Sequence, residues 1–164
     1  MTIKSTNNSP EIRRATEADV RSLVSFNQRM AWETEQKELD ESVLLRGVSA
    51  VLSSSDRGFY LVAEAEGEVV ASLMVTYEWS DWRNGFFWWI QSVYVVPSCR
   101  RQGLYQQLYS KVQTLGAAAG AIGFRLYVEK ENQVAQKTYQ ALGMKMCDYD
   151  MYEAMATNSS QKND

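Results

Sequence analysis

The stretch of sequence that decides the fold is residues 86–105, FFWWIQSVYVVPSCRRQGLY. It opens with Phe86–Val96, a nearly continuous apolar run that is typical of a strand buried on both faces. Pro97 cannot donate to a sheet ladder and therefore ends that strand. The polar residues 98–103 then lead into apolar residues at helical spacing, so the stretch predicts a central strand that turns directly into a helix. The helical stripe consists of Leu104, Leu108, Val112, Leu115 and Ala119.

Downstream of this stretch the sequence predicts a second strand and a last helix. Ile122–Val128 is mostly apolar, and the order strand, helix, strand is typical of a βαβ unit whose two strands are parallel. Asn132–Leu142 is a predicted helix that ends before Gly143, the residue type preferred just beyond a helix. We expect Met144–Met155 to complete the chain as one or two short strands.

Upstream of this stretch, the periodicity of the apolar residues predicts two helices followed by a β-hairpin. Thr16 and Asp19 are spaced as a capping box at the start of the first helix. A tight turn at Glu66-Gly67-Glu68 separates two segments with strand character. The predicted elements are a strand at Glu11–Arg14, a helix opened by Thr16, a helix around Glu41–Leu52, and strands at Phe59–Ala65 and Val69–Tyr77.

Composition indicates one soluble globular domain and excludes several kinds of chemistry. Of the 164 residues, 45% are hydrophobic and 23% are charged, and a compact chain of this length buries roughly 70% of its unfolded surface. The sequence contains no histidine, which excludes imidazole bases and histidine metal sites. Cys99 and Cys147 fit no disulfide or metal spacing, so reduced thiols in the cytoplasm are expected.

Charge and hydropathy argue against nucleic-acid and membrane partners. The net charge is −3, whereas nucleic-acid proteins usually carry a basic surface. Residues 1–10 lack the apolar core of a signal peptide, and no segment approaches the ~18 apolar residues of a membrane span. We therefore predict a cytoplasmic protein with one domain at 11–156, flexible tails at 1–10 and 157–164, and no metal.

The turn after the long strand has the residues of an anion site. The first amides of a helix lack intrahelical acceptors, and the helix dipole adds partial positive charge there. Gly103 allows close approach to the backbone, and Arg100 or Arg101 can neutralise a phosphate. On these residues alone, a tight turn with two solvated arginines is an equal alternative.

The same turn resembles the GNAT family of N-acetyltransferases, whose motif is Arg or Gln, two residues, Gly, one residue, then Gly or Ala. Arg100 and Gly103 match it, whereas Tyr105 departs from it. The order of elements resembles the family from Glu11 to Glu153. The resemblance implies an α/β fold of the α+β type: a mixed, mainly antiparallel central sheet with a splayed parallel strand pair, flanked by about four helices.

The resemblance also implies acetyl-CoA, or another short acyl-CoA, as co-substrate. In the family, backbone groups of the long strand bind the pantetheine arm, and the turn binds the diphosphate. An asparagine opens the late helix of the family, as Asn132 does here. The cofactor-binding residues implied are Val93, Tyr94, Val95, Arg100, Arg101, Gln102, Gly103, Leu104, Tyr105, Asn132 and Gln136.

The implied catalytic residues comprise an acid and an undecided base. Tyr139 matches the family tyrosine near the CoA sulfur, and a phenol can protonate a thiolate; the alternative is a core tyrosine on a helical stripe. Trp89 stands where relatives often have a glutamate, so the base stays open. The candidates are Glu33, Glu78 and Glu129.

The resemblance implies an N-acyltransferase that moves an acetyl group to a primary amine by direct attack in a ternary complex. The expected acceptor is a small-molecule amine. Five acids between Glu33 and Glu41, together with nearby tryptophans, would attract a cationic one; the alternative is that these acids face water and the tryptophans fill the core. Two other functions stay open, a catalytically silent acyl-CoA sensor and a protein lysine or N-terminal acetyltransferase. The oligomeric state is also open, with a homodimer as one alternative.

Overall fold

The computed structural model describes residues 9–156, which fall into two compact units. The first unit extends to Tyr127 and the second begins at Val128, a boundary inside the predicted domain 11–156. Of the predicted tails at 1–10 and 157–164, residues 1–8 and 157–164 lie outside the described residues. The elements are β1 (Glu11–Arg14), α1 (Val20–Glu35), α2 (Glu41–Leu52), β2 (Phe59–Ala65), β3 (Glu68–Ser80), β4 (Gly85–Val95), α3 (Leu104–Ala119) and β5 (Gly123–Arg125) in the first unit, and α4 (Gln133–Ala141) in the second.

The first unit is built on a mixed sheet whose strands follow chain order, β1-β2-β3-β4-β5. Neighbours from β1 to β4 are antiparallel, and β4 pairs with β5 in parallel. This confirms the predicted fold class. The long strand β4 is interior, as its apolar run indicates, although β3 holds the central position.

The hairpin between β2 and β3 shows why the local sequence predicts it correctly. Glu66 and Gly67 have φ values of 53° and 81°. Positive φ at both turn residues matches the right-handed twist of paired strands, and glycine adopts it without strain. The turn residues therefore fix the register of the hairpin.

Helices cover both faces of the sheet. On one face, α1 and α2 pack Leu23, Val24 and Val48 against Tyr60 and Val62 of β2. On the other face, Tyr109 of α3 contacts Phe124 of β5, and Phe124 contacts Trp88 of β4. Side chains alternate between the faces of a strand, so the two layers use alternate residues of the same strands.

Two predictions about the end of the chain are wrong. The strand predicted at Ile122–Val128 is limited to Gly123–Arg125, and residues 144–156 contain no strand where one or two were predicted. A strand requires hydrogen bonds to a neighbour, and the sequence pattern of one segment does not supply that neighbour. The segment exposes its large apolar side chains, among them Met146, Tyr149, Met151, Tyr152 and Met155.

The buried carboxylate of Asp19 stabilises the first unit through its negative charge. Asp19, only 5% exposed, accepts from Arg13 Nη1 at 2.8 Å and from the Thr16 amide at 2.7 Å, so the predicted capping box forms. The hydrogen bonds from Arg13 are the main reason that the pKa of Asp19 lies below its ordinary value of 3.8. Arg13 also pairs with Glu64 at 2.7 Å.

We expect Asp19→Asn to lower the free energy of unfolding by about 2 kcal/mol at pH 7, because charged hydrogen bonds are lost from a buried position. A carboxylate whose pKa is lower in the folded state stabilises the fold at any pH above its unfolded-state pKa. This stabilisation is lost as the pH falls through the folded-state pKa. Urea unfolding of both proteins between pH 7 and pH 3 should show the difference shrinking below about pH 4. A difference that does not change with pH would contradict the assignment.

Candidate active site

The candidate site lies along β4, where this strand loses its parallel neighbour. Within residues 9–156, β4 and β5 pair at Phe87–Trp89 against Gly123–Arg125, and β4 continues to Val95 beyond that pairing. A bulge lies in this second half, because Met74 faces Gln91 while Ser72 faces Tyr94. Ser92 within the bulge has a φ of 50°. Bulges bend a strand and increase its twist, so β4 turns away from β5 at this point.

The backbone of Val93 and Val95 points toward this open edge. The Val96 amide donates to Val70 O at 3.0 Å, toward β3. Backbone groups of successive strand residues point in opposite directions, so those of Val95, and of Val93 two residues earlier, point away from β3. The carbonyl of Val95 accepts from Arg100 Nε at 2.8 Å.

The turn between β4 and α3 places open backbone at the start of a helix. Arg101 and Gly103 have φ values of 63° and 77°, and Gln107 donates to Gly103 O at 3.0 Å, which begins the ladder of α3. No described atom lies within 4 Å of the position that a Cβ on Gly103 would occupy. The first-turn amides and the positive end of the helix dipole therefore border open space.

The side chains around this turn have different roles, which the sequence alone did not distinguish. The Arg100 guanidinium is held by Val95 and by Glu33, whose Oε2 lies 2.7 Å from Nη2, although its side chain is 42% exposed. Arg101 is exposed and forms no ion pair among the described residues. Gln102 donates to Ser98 O at 3.1 Å. The guanidinium beside Gly103 that is not held in an ion pair is therefore that of Arg101.

Three other predicted cofactor residues direct their side chains into the protein. Leu104 and Tyr94 are each 4% exposed, so only their backbone faces the surface. The Tyr94 ring lies 5.0 Å from Phe26 of α1. Tyr105, which departs from the family motif, stacks on Tyr109 with ring centroids 6.2 Å apart. Its ring therefore packs along α3.

The first-unit candidate bases, Glu33 and Glu78, are each held by an aromatic donor from β4 and an arginine. Glu33 accepts from the Tyr94 hydroxyl at 3.0 Å and pairs with Arg100. Burial opposes ionisation of Glu33, but the hydrogen bonds from Arg100 and Tyr94 outweigh it and hold the pKa of Glu33 below its ordinary value. Burial, and then the Glu33 carboxylate, raise the pKa of Tyr94.

Glu78 lies beside the last parallel rung of the sheet. Its carboxylate accepts from the Trp89 indole and from Arg125, whose Nη1 lies 2.6 Å from Oε1. Trp89 pairs with Arg125 across β4 and β5. The resemblance places Trp89 where relatives often have a glutamate, and the structure puts the carboxylate of Glu78, from the neighbouring strand β3, in contact with Trp89.

Glu78, Trp89 and Arg125 form a group on the same face of the sheet that α1 and α2 cover further along the strands. Met74 of β3 packs against the α1–α2 cluster, and Thr76 and Glu78 follow it on the same face because side chains alternate. Gln91 donates to Thr76 Oγ1 at 2.6 Å on this face. The side chains of Glu78 and Arg125 are 41% and 33% exposed, so the pair is accessible from solvent.

Sequence reasoning missed two residues of this site. Arg125 was not predicted, although it is the charged residue within the apolar segment 122–128. Ser92, which takes positive φ in the bulge, interrupts the apolar run of β4. In both cases a polar residue inside an apolar strand was the available signal.

The other predicted residues lie in the second unit. Asn132 accepts from the Ala135 amide at 3.1 Å and caps α4, as predicted. Gln136 donates to Lys130 O at 2.8 Å, and Glu129 is exposed. Burial raises the pKa of Tyr139 on α4. The cofactor and catalytic roles of these residues stay predictions.

The acidic segment between α1 and α2 is largely engaged with its own chain. Besides the Glu33 pair, Glu35 pairs with Lys37, and Asp40 caps α2 by accepting from the Val43 amide at 3.0 Å. An open hollow of about 320 Å³ here carries both signs of charge. Its lining consists of Gln28, Arg29, Trp32, Glu33, Lys37 and Glu38. A cationic acceptor stays a prediction.

Residues 9–156 contain neither a membrane-spanning helix nor a metal-binding cluster. No helix between residues 9 and 156 is long and apolar enough to cross a membrane. In the same part of the chain, no three Cys, Asp or Glu side chains lie close enough together to hold a metal ion.

Comparisons with known proteins agree with this architecture. Residues 18–144 match the model of the acetyltransferase (GNAT) family. A crystal structure of "a possible acetyltransferase from Clostridium difficile 630" is 46% identical, with a TM-score of 0.85 over 92% of this chain and 99% of that one.

Two further structures, each 18% identical, share the fold. One is the aminoglycoside N-acetyltransferase AAC(6')-Iy in complex with CoA, with a TM-score of 0.76 over 90% of this chain and 95% of that one. The other is a predicted acetyltransferase with acetyl-CoA from Clostridium acetobutylicum, with a TM-score of 0.74 over 88% and 96%. With the family match across more than half of its length, the chain belongs to the GNAT acetyltransferase family.

Proposed function

We propose that this protein transfers an acetyl group from acetyl-CoA to the primary amine of a small molecule. The observation that carries the proposal is the open edge of β4, which runs directly into the N-terminus of α3. CoA has an amide-containing arm joined to a diphosphate. The unpaired strand edge suits the arm, and the helix N-terminus that follows it suits the diphosphate. Family members with the same fold have been solved with CoA or acetyl-CoA.

Each part of the donor has a counterpart in the first unit. The pantetheine amides extend the sheet along Val93 and Val95, as an added strand does. The diphosphate lies at the amides around Gly103, where the helix dipole favours negative charge. Arg101 supplies the compensating charge, while Arg100 fixes the turn through Val95 and Glu33.

The reaction is a direct acyl transfer within a ternary complex. Glu78 takes a proton from the acceptor ammonium, and the free amine attacks the thioester carbon. An amide N–H on the open edge of β4 stabilises the negative charge that develops on the thioester oxygen. The C–S bond then breaks, the acceptor nitrogen loses its second proton to solvent, and Tyr139, the acid that the resemblance implies, gives its proton to the CoA thiolate. Solvent then restores the Tyr139 phenol and the Glu78 carboxylate. A phenol is protonated at neutral pH, and burial raises the pKa of Tyr139 further.

The test combines donor binding with turnover. Acetyl-, propionyl- and succinyl-CoA are compared by thermal shift, and CoA release is measured across a panel of primary amines. We expect stabilisation by acetyl-CoA and CoA release that depends on the amine. Stabilisation without turnover would instead support an acyl-CoA sensor. A stoichiometric burst of CoA before amine addition would contradict direct transfer.

Gly103→Ala should weaken acetyl-CoA binding about tenfold, the effect of losing one charged hydrogen bond. The added methyl group projects into the space proposed for the diphosphate, and positive φ costs about 1 kcal/mol of strain. Gly120→Ala is a matched control, because Gly120 ends the same helix with a φ of 74° and also faces open space. Equal acetyl-CoA affinities of the two variants, measured by calorimetry, would refute this placement.

A further inference from the structure

The Glu78–Arg125 pair is a half-exposed ion pair whose guanidinium has unused capacity. Arg125 donates to Glu78 through Nη1. Across residues 9–156, Arg125 forms no hydrogen bond through its Nε or Nη2. The guanidinium carbon lies 3.6 Å from the centroid of the Phe87 ring. Stacking on an aromatic face fixes the plane of a guanidinium and leaves its edge free for a planar anion.

The pair presents opposite charges side by side, with an aromatic wall next to them. Trp89 holds the second oxygen of Glu78 and lies 6.1 Å from the Tyr127 ring, measured between centroids. A ligand with only positive charge would meet the Arg125 guanidinium as soon as it approached Glu78. A ligand with an ammonium and a carboxylate a few bonds apart can pair with both residues at once.

The position of the Glu78–Arg125 pair places a ligand of this kind next to the proposed reaction centre. Trp89 and Arg125 form the last parallel rung before β4 continues alone, and the proposed function places the thioester beside that opening. Two fixed charges at this point can bind both ends of an acceptor and orient its amine.

We propose that Arg125 binds the carboxylate of an α-amino acid whose amino group lies at Glu78 and is the group acetylated. This inference rests on the proposed function and specifies its acceptor as a zwitterion. Arg125 is a specificity-determining residue in this arrangement. Planar carboxylates bind arginine through two parallel hydrogen bonds, which matches the two free donor positions.

The test compares each of the twenty common L-α-amino acids with its carboxamide as acceptor. We expect at least one acid to be acetylated with a kcat/KM about tenfold or more above its carboxamide, the size of one charged contact. Blocking the carboxyl group lowers the pKa of the α-amine, so the carboxamide is the better nucleophile near neutral pH. Amine basicity therefore cannot produce the expected preference.

Arg125→Gln should abolish the preference, because it raises KM for the acid about tenfold more than KM for the carboxamide. Loss of the ion pair with Glu78 affects both acceptors alike, so the ratio of their kcat/KM values is the readout. Arg83→Gln is the control, because Arg83 lies near the same Phe87 ring, at 5.5 Å, and forms no ion pair among the described residues. Stabilisation by acetyl-CoA establishes that both variants are folded.

The outcomes separate the two proposals. Equal rates for acids and carboxamides, or a preference that survives Arg125→Gln, would overturn the role of Arg125. Acetylation of spermidine, with no amino acid accepted, would overturn the amino-acid proposal and leave the proposed function intact. Acetylation of a lysine peptide alone would overturn both and support a protein acetyltransferase. If no CoA ester binds and no amine releases CoA, both proposals fail.

Discussion

We expect Glu78→Gln to lower kcat by about 10²- to 10⁴-fold, the contribution of a general base. Glutamine keeps the shape of the side chain and an acceptor oxygen for Trp89, but it cannot take the proton from the acceptor ammonium, so the attacking amine is not formed. Stabilisation by acetyl-CoA should be unchanged, since the proposed donor contacts lie along Val93, Val95 and the turn at Gly103. Steady-state kinetics and thermal shift on the same preparation measure both quantities.

Glu33→Gln is the matched comparison, because Glu33 is also held by an aromatic donor and an arginine. Its partner Arg100 fixes the turn, so we expect this variant to raise KM for acetyl-CoA and to change kcat by less than about tenfold. If Glu33→Gln abolishes turnover while Glu78→Gln retains it, the base has been assigned to the wrong carboxylate.

Tyr139→Phe should reduce kcat by about 10²-fold or more with little change in acetyl-CoA affinity. The substitution removes the proton given to the departing thiolate and keeps the ring. Burial raises the pKa of Tyr139, so the phenol is protonated at neutral pH. In the pH profile of the unaltered protein, kcat should therefore lose this acid at a higher pH than an ordinary tyrosine would allow.

Tyr149→Phe is the control for this prediction. Tyr149 is also in the second unit but is 76% exposed, so its hydroxyl should be dispensable. A Tyr139→Phe variant with unaltered kcat would assign Tyr139 to packing, the alternative that its helical stripe allowed. Loss of acetyl-CoA binding together with kcat would point to a folding defect instead of a lost proton donor.

Local chemistry explains which parts of the fold the sequence predicts correctly. The strand, turn and helix at residues 86–119 depend on an apolar run, a proline, a glycine at positive φ and an apolar stripe, all of which act within a few residues. The bounds of α2 and the turn at Glu66-Gly67 were predicted for the same reason. The closing strands were predicted wrongly because a strand depends on a neighbour that its own residues do not specify.

The sequence by itself determined that a buried strand runs through a short turn into a helix, since propensity, capping and turn geometry are short-range properties. Only the tertiary structure decided that Glu78 of β3, Trp89 of β4 and Arg125 of β5 form one group. Their partnership depends on strand register and on the point where β4 and β5 cease to pair. Register is fixed by packing among residues far apart in the chain, which is why three side chains of unremarkable local context form the candidate site.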